Sequence, residues 1–172
     1  MTDERTNKVR QDFFETLDEL TKGERTLLKR ACGKTLEQSG AQTMLLFYNL
    51  LPRSGVRPAD EEKWFAAACL HCLEEPNAEN RKPLAEQVRN ESRKADNSNL
   101  EKRICTLMEL QWDDEGYFTQ KLLRLVKYLK QKGYQVDCNE LLRDLCRWNY
   151  EGMPAQKNWA RQMIREDSEN AE

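Results

Sequence analysis

The sequence predicts an all-α protein built as two small helical bundles in one chain. Apolar residues recur at helical spacing along most of the 172 residues, and no apolar–polar alternation of useful length indicates a strand. Only 7 Gly and 5 Pro interrupt this pattern. With 38% hydrophobic and 34% charged residues the chain is rich in surface, which favours small bundles over a thick α/β core.

Five helices are predicted in the first bundle. The first has an apolar face made of Val9, Phe13, Leu17 and Leu20. The next four are predicted over residues 23–32, 41–51, 60–73 and 84–91. The loop at residues 92–98 is polar and lacks an apolar anchor, so we place the domain boundary there. The predicted bundles are therefore residues 1–95 and 96–172.

Four further helices are predicted in the second bundle. Their predicted starts are Asn99, Asp113 or Asp114, Asp137 or Asn139, and Pro154. Asn and Asp side chains accept hydrogen bonds from the free N–H groups of a first helical turn, and proline is tolerated there because it lacks that N–H group. Gly133 ends the second of these helices, and the last one is predicted to reach about residue 166.

The helix that follows Asp113 is unusual in its charge. Residues 117–133 contain five Lys or Arg and no Asp or Glu, although the whole chain has 28 Lys and Arg against 30 Asp and Glu. A solvated helix normally mixes both signs, because Glu–Lys pairs one turn apart stabilise it. Lys121 and Arg124 flank the apolar stripe of this helix on one side, and Lys127 flanks it on the other. These side chains can extend their charges beyond the buried face.

A second acid-poor segment occupies residues 22–34. Its cations are Lys22, Arg25, Lys29, Arg30 and Lys34, and its only acid is Glu24. Two such segments indicate a polyanionic partner, and because no base-reading motif is present we expect contact with a nucleic-acid backbone without sequence preference. The alternative is that each segment pairs with acids elsewhere in the fold, or that the protein is a helical adaptor whose basic edges bind an acidic protein.

Neither a metal site nor a catalytic site is predicted. Cys69 and Cys72 form a CxxC pattern, but there is no second CxxC, and the only histidine, His71, lies inside the motif. Positions three apart share a face of a helix, so we expect both sulfurs to pack in the core, with a zinc or redox module as the alternative. Gly-rich phosphate loops and clustered carboxylates in an apolar context are absent from the sequence, so we expect no enzymatic activity and no cofactor.

The longest apolar run, residues 65–70, is far too short to span a bilayer. No basic-then-apolar export signal is present, so we expect a soluble cytoplasmic protein with no membrane partner.

Several segments resemble one known family. They are GERTLLKRACG at residues 23–33, NLEKRICTLM at 99–108, LLRLVKYLKQKGYQVD at 122–137, VDCNELLRDLCRW at 136–148 and NWARQMIRE at 158–166. In this order they are similar to the CasB family, the small subunit of the prokaryotic type I-E CRISPR Cascade complex. The resemblance is strongest in the last third of the chain, and none of these segments is a catalytic fingerprint.

The resemblance implies a helical, non-catalytic protein of antiviral defence. It implies two copies that contact each other, the Cascade backbone subunits and the large subunit, and that use basic residues to hold target DNA near the guide RNA, together with the displaced strand. By matching position, it assigns Lys29, Arg30, Arg103 and Arg124 to nucleic-acid contact, with Lys121 in place of a missing second cation of the Leu-Arg-Arg-Leu-like element. The full set of predicted contact residues is Arg25, Lys29, Arg30, Arg103, Lys121, Arg124 and Lys127.

Overall fold

Helices make up nearly all of the regular structure. The computed structural model describes residues 2–95 and 98–165. Its helices are α1 (Thr2–Asp18), α2 (Lys22–Arg30), α3 (Ala41–Leu50), α4 (Glu61–His71), α5 (Leu84–Ala95), α6 (Ser98–Glu109), α7 (Tyr117–Gln131), α8 (Cys138–Cys146) and α9 (Pro154–Ile164). A 3-10 turn, Pro58–Asp60, precedes α4. The predicted all-α class is confirmed.

Local side-chain chemistry explains where two of these helices begin. At α2, the Thr21 hydroxyl accepts a hydrogen bond from the Glu24 N–H at 3.2 Å, and the Glu24 carboxylate accepts one from the Thr21 N–H at 3.0 Å. This reciprocal capping box satisfies two N–H groups that the helix cannot satisfy itself. At α8, Asp137 caps the helix by accepting hydrogen bonds from the N–H groups of Asn139 and Glu140. Of the two predicted starts, Asp137 is therefore the N-cap.

The predicted loop between the two halves is shorter than expected. Residues 92–95 continue α5 as helix and Ser98 begins α6, so the predicted loop is wrong over those positions, and residues 96 and 97 lie outside the described residues. The basic side chains in the last turn of α5, Arg93 and Lys94, favour this extension because cations stabilise the C-terminal end of a helix. The last helix, predicted to reach about residue 166, ends at Ile164, because the backbone of Arg165 is extended.

Two short strands were not predicted. Strand β1 (Arg81–Lys82) pairs in parallel with β2 (Gln135–Val136), with Arg81 opposite Gln135 and Lys82 opposite Val136. A strand of two residues has no periodicity that a sequence pattern could reveal. The pair joins the segment between α4 and α5 to the segment between α7 and α8.

Helix α4 lies in the interior. Every residue of α4 from Lys63 to His71 is buried, and the helix packs against α1, α2, α7 and α8. The alanines at positions 66–68 have small side chains, which lets neighbouring helices approach α4 closely. Since α8 packs on α4 and α9 packs on α5, the buried apolar residues of both halves form one cluster. The division into residues 1–95 and 96–172 stays a prediction.

In the part of the chain that the structure describes, no helix is long and apolar enough to cross a membrane.

Candidate nucleic-acid interface

Helix α7 presents two of its cations on the side away from the core. The predicted apolar stripe is buried and consists of Phe118, Leu122, Leu125, Val126 and Leu129. Arg124 and Lys127 are exposed on the opposite side, and Lys121 lies half-buried at one edge. The position of each follows from the helical repeat, because residues three, four and seven apart share one face.

Helix α6 borders this surface on one side. Its Arg103 is exposed and places its guanidinium carbon 5.4 Å from the ring centroid of Tyr128 on α7. Lys132 places its ammonium nitrogen 5.6 Å from the same ring. A cation over an aromatic face is attracted by the ring quadrupole, so Tyr128 holds cations of two elements together. Lys132 was not among the predicted contact residues, although the acid-free segment contains it.

The turn after α2 borders the surface on the other side. A Cβ atom at Gly33 would lie 2.9 Å from Leu123 Cδ2 and 3.9 Å from Gln120 Cγ, and the φ of Gly33 is +84°. Glycine at this position therefore permits both the left-handed turn and the close approach to α7. The exposed Lys29 and Arg30 occupy the last turn of α2, just before this contact.

The two basic segments therefore meet at one surface around α7. We call this surface the basic ridge and define it by six of the predicted residues, Lys29, Arg30, Arg103, Lys121, Arg124 and Lys127. Five of these side chains are exposed and Lys121 is half-buried.

Arg25 stands apart from the ridge. It is half-buried and donates hydrogen bonds to the carbonyl oxygens of Leu17, at 3.2 Å, and Glu74. Lys130 on α7 likewise donates to the carbonyl oxygen of Leu73. Both cations thus bind carbonyl oxygens just after the end of α4, so we do not include Arg25 in the ridge.

Acids do not neutralise the ridge within the described residues. None of its six cations forms an ion pair there. The Arg and Lys side chains that do form ion pairs are Arg57 and Lys63 with Asp60, Arg81 with Asp18 and Glu74, Arg89 with Glu86, Arg143 with Asp144, and Arg147 with Asp3. The alternative in which each basic segment pairs with acids of the same fold therefore finds no support in residues 2–95 and 98–165.

Comparison with protein-family models decides the family. The model of the CRISPR-associated protein Cse2 matches residues 24–163, which is well over half of the chain. The chain belongs to the Cse2 family. The resemblance to CasB is thereby confirmed, since structural relatives of this fold include proteins described as Cse2 and as CasB.

Solved structures of Cse2 and CasB proteins have the same fold. A Cse2-family protein from Thermus thermophilus is 20% identical, with a TM-score of 0.74 over 91% of this chain and 96% of that one. CasB from M. ruber is 23% identical, with a TM-score of 0.70 over 90% of this chain and 91% of that one. A chain of a CRISPR RNA-guided surveillance complex is 19% identical, with a TM-score of 0.75 over 92% of both chains. A search of curated proteins finds no match by sequence.

The CxxC motif lies in the core. Cys69 and Cys72 are both buried, and burial raises the pKa of the Cys72 thiol to about 12. Burial also raises the pKa of Cys69 well above its ordinary value, so neither sulfur is a ready thiolate. The Nε2 atom of His71 lies 2.8 Å from Asp18 Oδ1. Burial, and to a smaller extent the positive charge of Arg81, lowers the pKa of His71 to about 4. Within the described residues, no group of three His, Cys, Asp or Glu side chains could hold a metal ion.

The four cysteines outside this motif differ in their exposure. Cys105 on α6 is exposed, whereas Cys138 is buried and Cys32 and Cys146 are half-buried.

Proposed function

We propose that this chain is a non-catalytic, cytoplasmic subunit of a prokaryotic type I-E Cascade surveillance complex in antiviral defence. In this role it contacts the backbone subunits, the large subunit and a second copy of itself, and it holds target DNA and the displaced strand near the guide RNA. Membership of the Cse2 family supports the assignment to CRISPR defence. The shared fold with a chain of an RNA-guided surveillance complex supports the assignment to such an assembly.

The observation that carries the proposal is the basic ridge. Six cations of α2, α6 and α7 lie on elements that meet around α7, and within the described residues none has a carboxylate partner. The chain as a whole has a formal charge of −2, so this local excess is not a by-product of a basic composition. Exposed cations of this kind bind phosphate groups and release the counterions condensed on the nucleic acid.

The proposed mechanism is electrostatic. Base pairing between guide and target reads the sequence, and the exchange of a DNA duplex for an RNA–DNA duplex is nearly balanced in free energy. A few phosphate contacts from the ridge lower the free energy of the strand that they hold, which shifts this balance towards the open complex. Backbone contact of this type stabilises any target equally and requires no base-reading side chain.

Two double variants test the proposal. We expect Lys29→Ala with Arg30→Ala, and Arg124→Ala with Lys127→Ala, each to weaken binding to single-stranded DNA similarly for unrelated sequences. Each lost phosphate contact makes the negative slope of log affinity against log salt shallower by roughly 0.7, so each double variant should reduce the steepness of that slope by about one to one and a half. Melting temperatures should barely change, because exposed charges contribute little to folding. In the assembled complex, R-loop formation should weaken more than assembly does.

The matched control is Lys157→Ala with Arg161→Ala. These two exposed cations lie one turn apart on α9 and outside the ridge, so the salt slope should stay close to that of the parent protein. Ridge variants that bind DNA and form R-loops like the parent, yet lose a protein partner, would contradict nucleic-acid binding and identify a helical adaptor instead.

A further inference from the structure

Tyr117 is an exposed aromatic residue at the start of the basic ridge. It is the first residue of α7 and is 57% exposed. The exposed Tyr48, in contrast, donates its hydroxyl to Glu61 Oε2 at 2.7 Å. Within the described residues no other aromatic ring packs against Tyr117, and its ring contact there is with a cation. Because the ring is exposed and its described ring contact is with this one cation, its other face is available to a ligand.

The backbone holds Tyr117 in a defined position. The Asp113 carboxylate accepts hydrogen bonds from the N–H groups of Glu115 at 3.0 Å, Tyr117 at 3.1 Å and Phe118 at 2.9 Å. Phe118, the next residue, is fully buried and anchors the turn. Because Asp113 already satisfies these N–H groups, the start of α7 is not itself a phosphate site. The groups that remain for a ligand are the ring and the surrounding cations.

A cation of α7 lies beside this ring, and the turn that follows α2 approaches the residue before it. Lys121 lies one turn further along α7, with its ammonium nitrogen 5.1 Å from the Tyr117 ring centroid, and Arg124 follows on the next turn. On the other side, a Cβ atom at Gly116 would lie 3.9 Å from the carbonyl oxygen of Gly33, which follows the basic end of α2. The ring therefore stands where the two parts of the ridge meet. An aromatic face beside a row of Lys and Arg is the arrangement by which proteins bind single strands, with a base on the ring and phosphates on the cations.

We propose that Tyr117 is a stacking platform for an unpaired base and makes the ridge select single-stranded nucleic acid over duplex. This inference rests on the proposed function of the ridge. Bases within a duplex are already stacked on their neighbours and present no free face, so a duplex can use only the cations. An unpaired strand uses both the cations and the ring.

The test compares three labelled probes by fluorescence anisotropy: a thymidine oligonucleotide, an abasic strand of the same length, and a duplex of mixed sequence. Tyr117→Leu should lower the affinity for the thymidine strand about tenfold, within the range for loss of one aromatic–base stack. Its affinities for the abasic strand and the duplex should change by less than about twofold. Tyr117→Trp should keep the preference for the thymidine strand, because indole also stacks.

The matched control is Tyr150→Leu. Tyr150 is 48% exposed and also has a cation near its ring, with the Arg57 guanidinium carbon 6.0 Å from the centroid, but it lies outside the ridge. This variant should bind all three probes like the parent protein. A loss as large as that of Tyr117→Leu would indicate a general effect of removing an exposed tyrosine and would overturn the inference.

The possible failures can be distinguished. If Tyr117→Leu binds the thymidine strand like the parent while the Arg124 and Lys127 double variant does not, the stacking role is refuted and the ridge remains. If Tyr117→Leu loses equal affinity for the thymidine and abasic strands, the ring acts by ordering Lys121, and the stacking role is again refuted. If the parent protein binds none of the probes at low salt, nucleic-acid binding by the ridge is refuted, and the stacking role of Tyr117 is refuted with it.

Discussion

Replacing Asp144 by asparagine should change how the stability of the protein depends on pH. Asp144 lies on α8, is only 6% exposed, and accepts a hydrogen bond from the Trp159 indole N–H at 2.8 Å. Burial raises the pKa of this carboxyl from its ordinary value of 3.8 to about 6, and the Trp159 hydrogen bond opposes this increase only partly. The native state therefore prefers the protonated carboxyl.

The sign and size of the change in stability follow from the difference between the pKa of Asp144 in the unfolded and in the folded protein. Because the pKa is higher in the folded state, the stabilising contribution of Asp144 is fully present below pH 3.8 and is lost as the pH rises through about 6. The interval between 3.8 and about 6 corresponds to about 3 kcal/mol of unfolding free energy. Asparagine at position 144 does not titrate. The unfolding free energy of Asp144→Asn minus that of the parent should therefore rise by about 2 to 3 kcal/mol between pH 4 and pH 8.

Urea unfolding at several pH values measures this difference. Trp148 and Trp159 are both buried and report unfolding by fluorescence. The difference between variant and parent is needed because His71 also makes stability depend on pH. Its pKa is lowered to about 4 in the folded protein, so its contribution to the unfolding free energy is fully present above pH 6.5 and is lost as the pH falls through about 4. That opposite trend cancels in the subtraction, as does any pH-independent cost of the asparagine amide.

The control is Asp12→Asn, at an exposed position of α1. It removes the same type of charge from a site that stays in water, so its difference from the parent should vary much less with pH. A difference for Asp144→Asn that stays flat, or that falls from pH 4 to pH 8, would refute the buried-carboxyl reasoning.

Two further predictions concern the fold. Gly33→Ala should lower the unfolding free energy by about 1 to 2 kcal/mol, because alanine is strained in the left-handed conformation of Gly33. The new Cβ atom should lower it further, because it displaces Leu123. Gly133→Ala is the control, because Gly133 has a φ of +90° but a Cβ atom there meets nothing within 4 Å. If urea unfolding shows the same loss of unfolding free energy for both variants, the contact of Gly33 with α7 does not contribute to stability. Limited proteolysis should cut first in the largely exposed loop at residues 75–80, as mass spectrometry of the fragments would establish. First cleavage within residues 122–129 would contradict the packing of α7.

Local features that depend on neighbouring residues could be predicted from the sequence. The stripe of α7 from Phe118 to Leu129 and the N-cap position of Asp137, one of two predicted starts, follow from periodicity and from capping chemistry within a few residues. Helix ends such as that of α5 were less certain, because nothing within the polar residues 92–95 decides by itself between helix and loop. Strands of two residues leave no periodic signal, so the pairing of β1 with β2 depends on segments more than fifty positions apart.

The sequence alone determined that two segments are rich in cations and poor in acids, and it placed the chain near the CasB family. Only the tertiary structure decided that these segments meet, through the contact of Gly33 with Leu123, and that Arg25 instead binds the carbonyl oxygens of Leu17 and Glu74. Charge and periodicity are properties of residues close in the chain. Which cations remain available to a ligand depends instead on how distant helices pack, and that packing is set by the complementary shapes of the buried side chains.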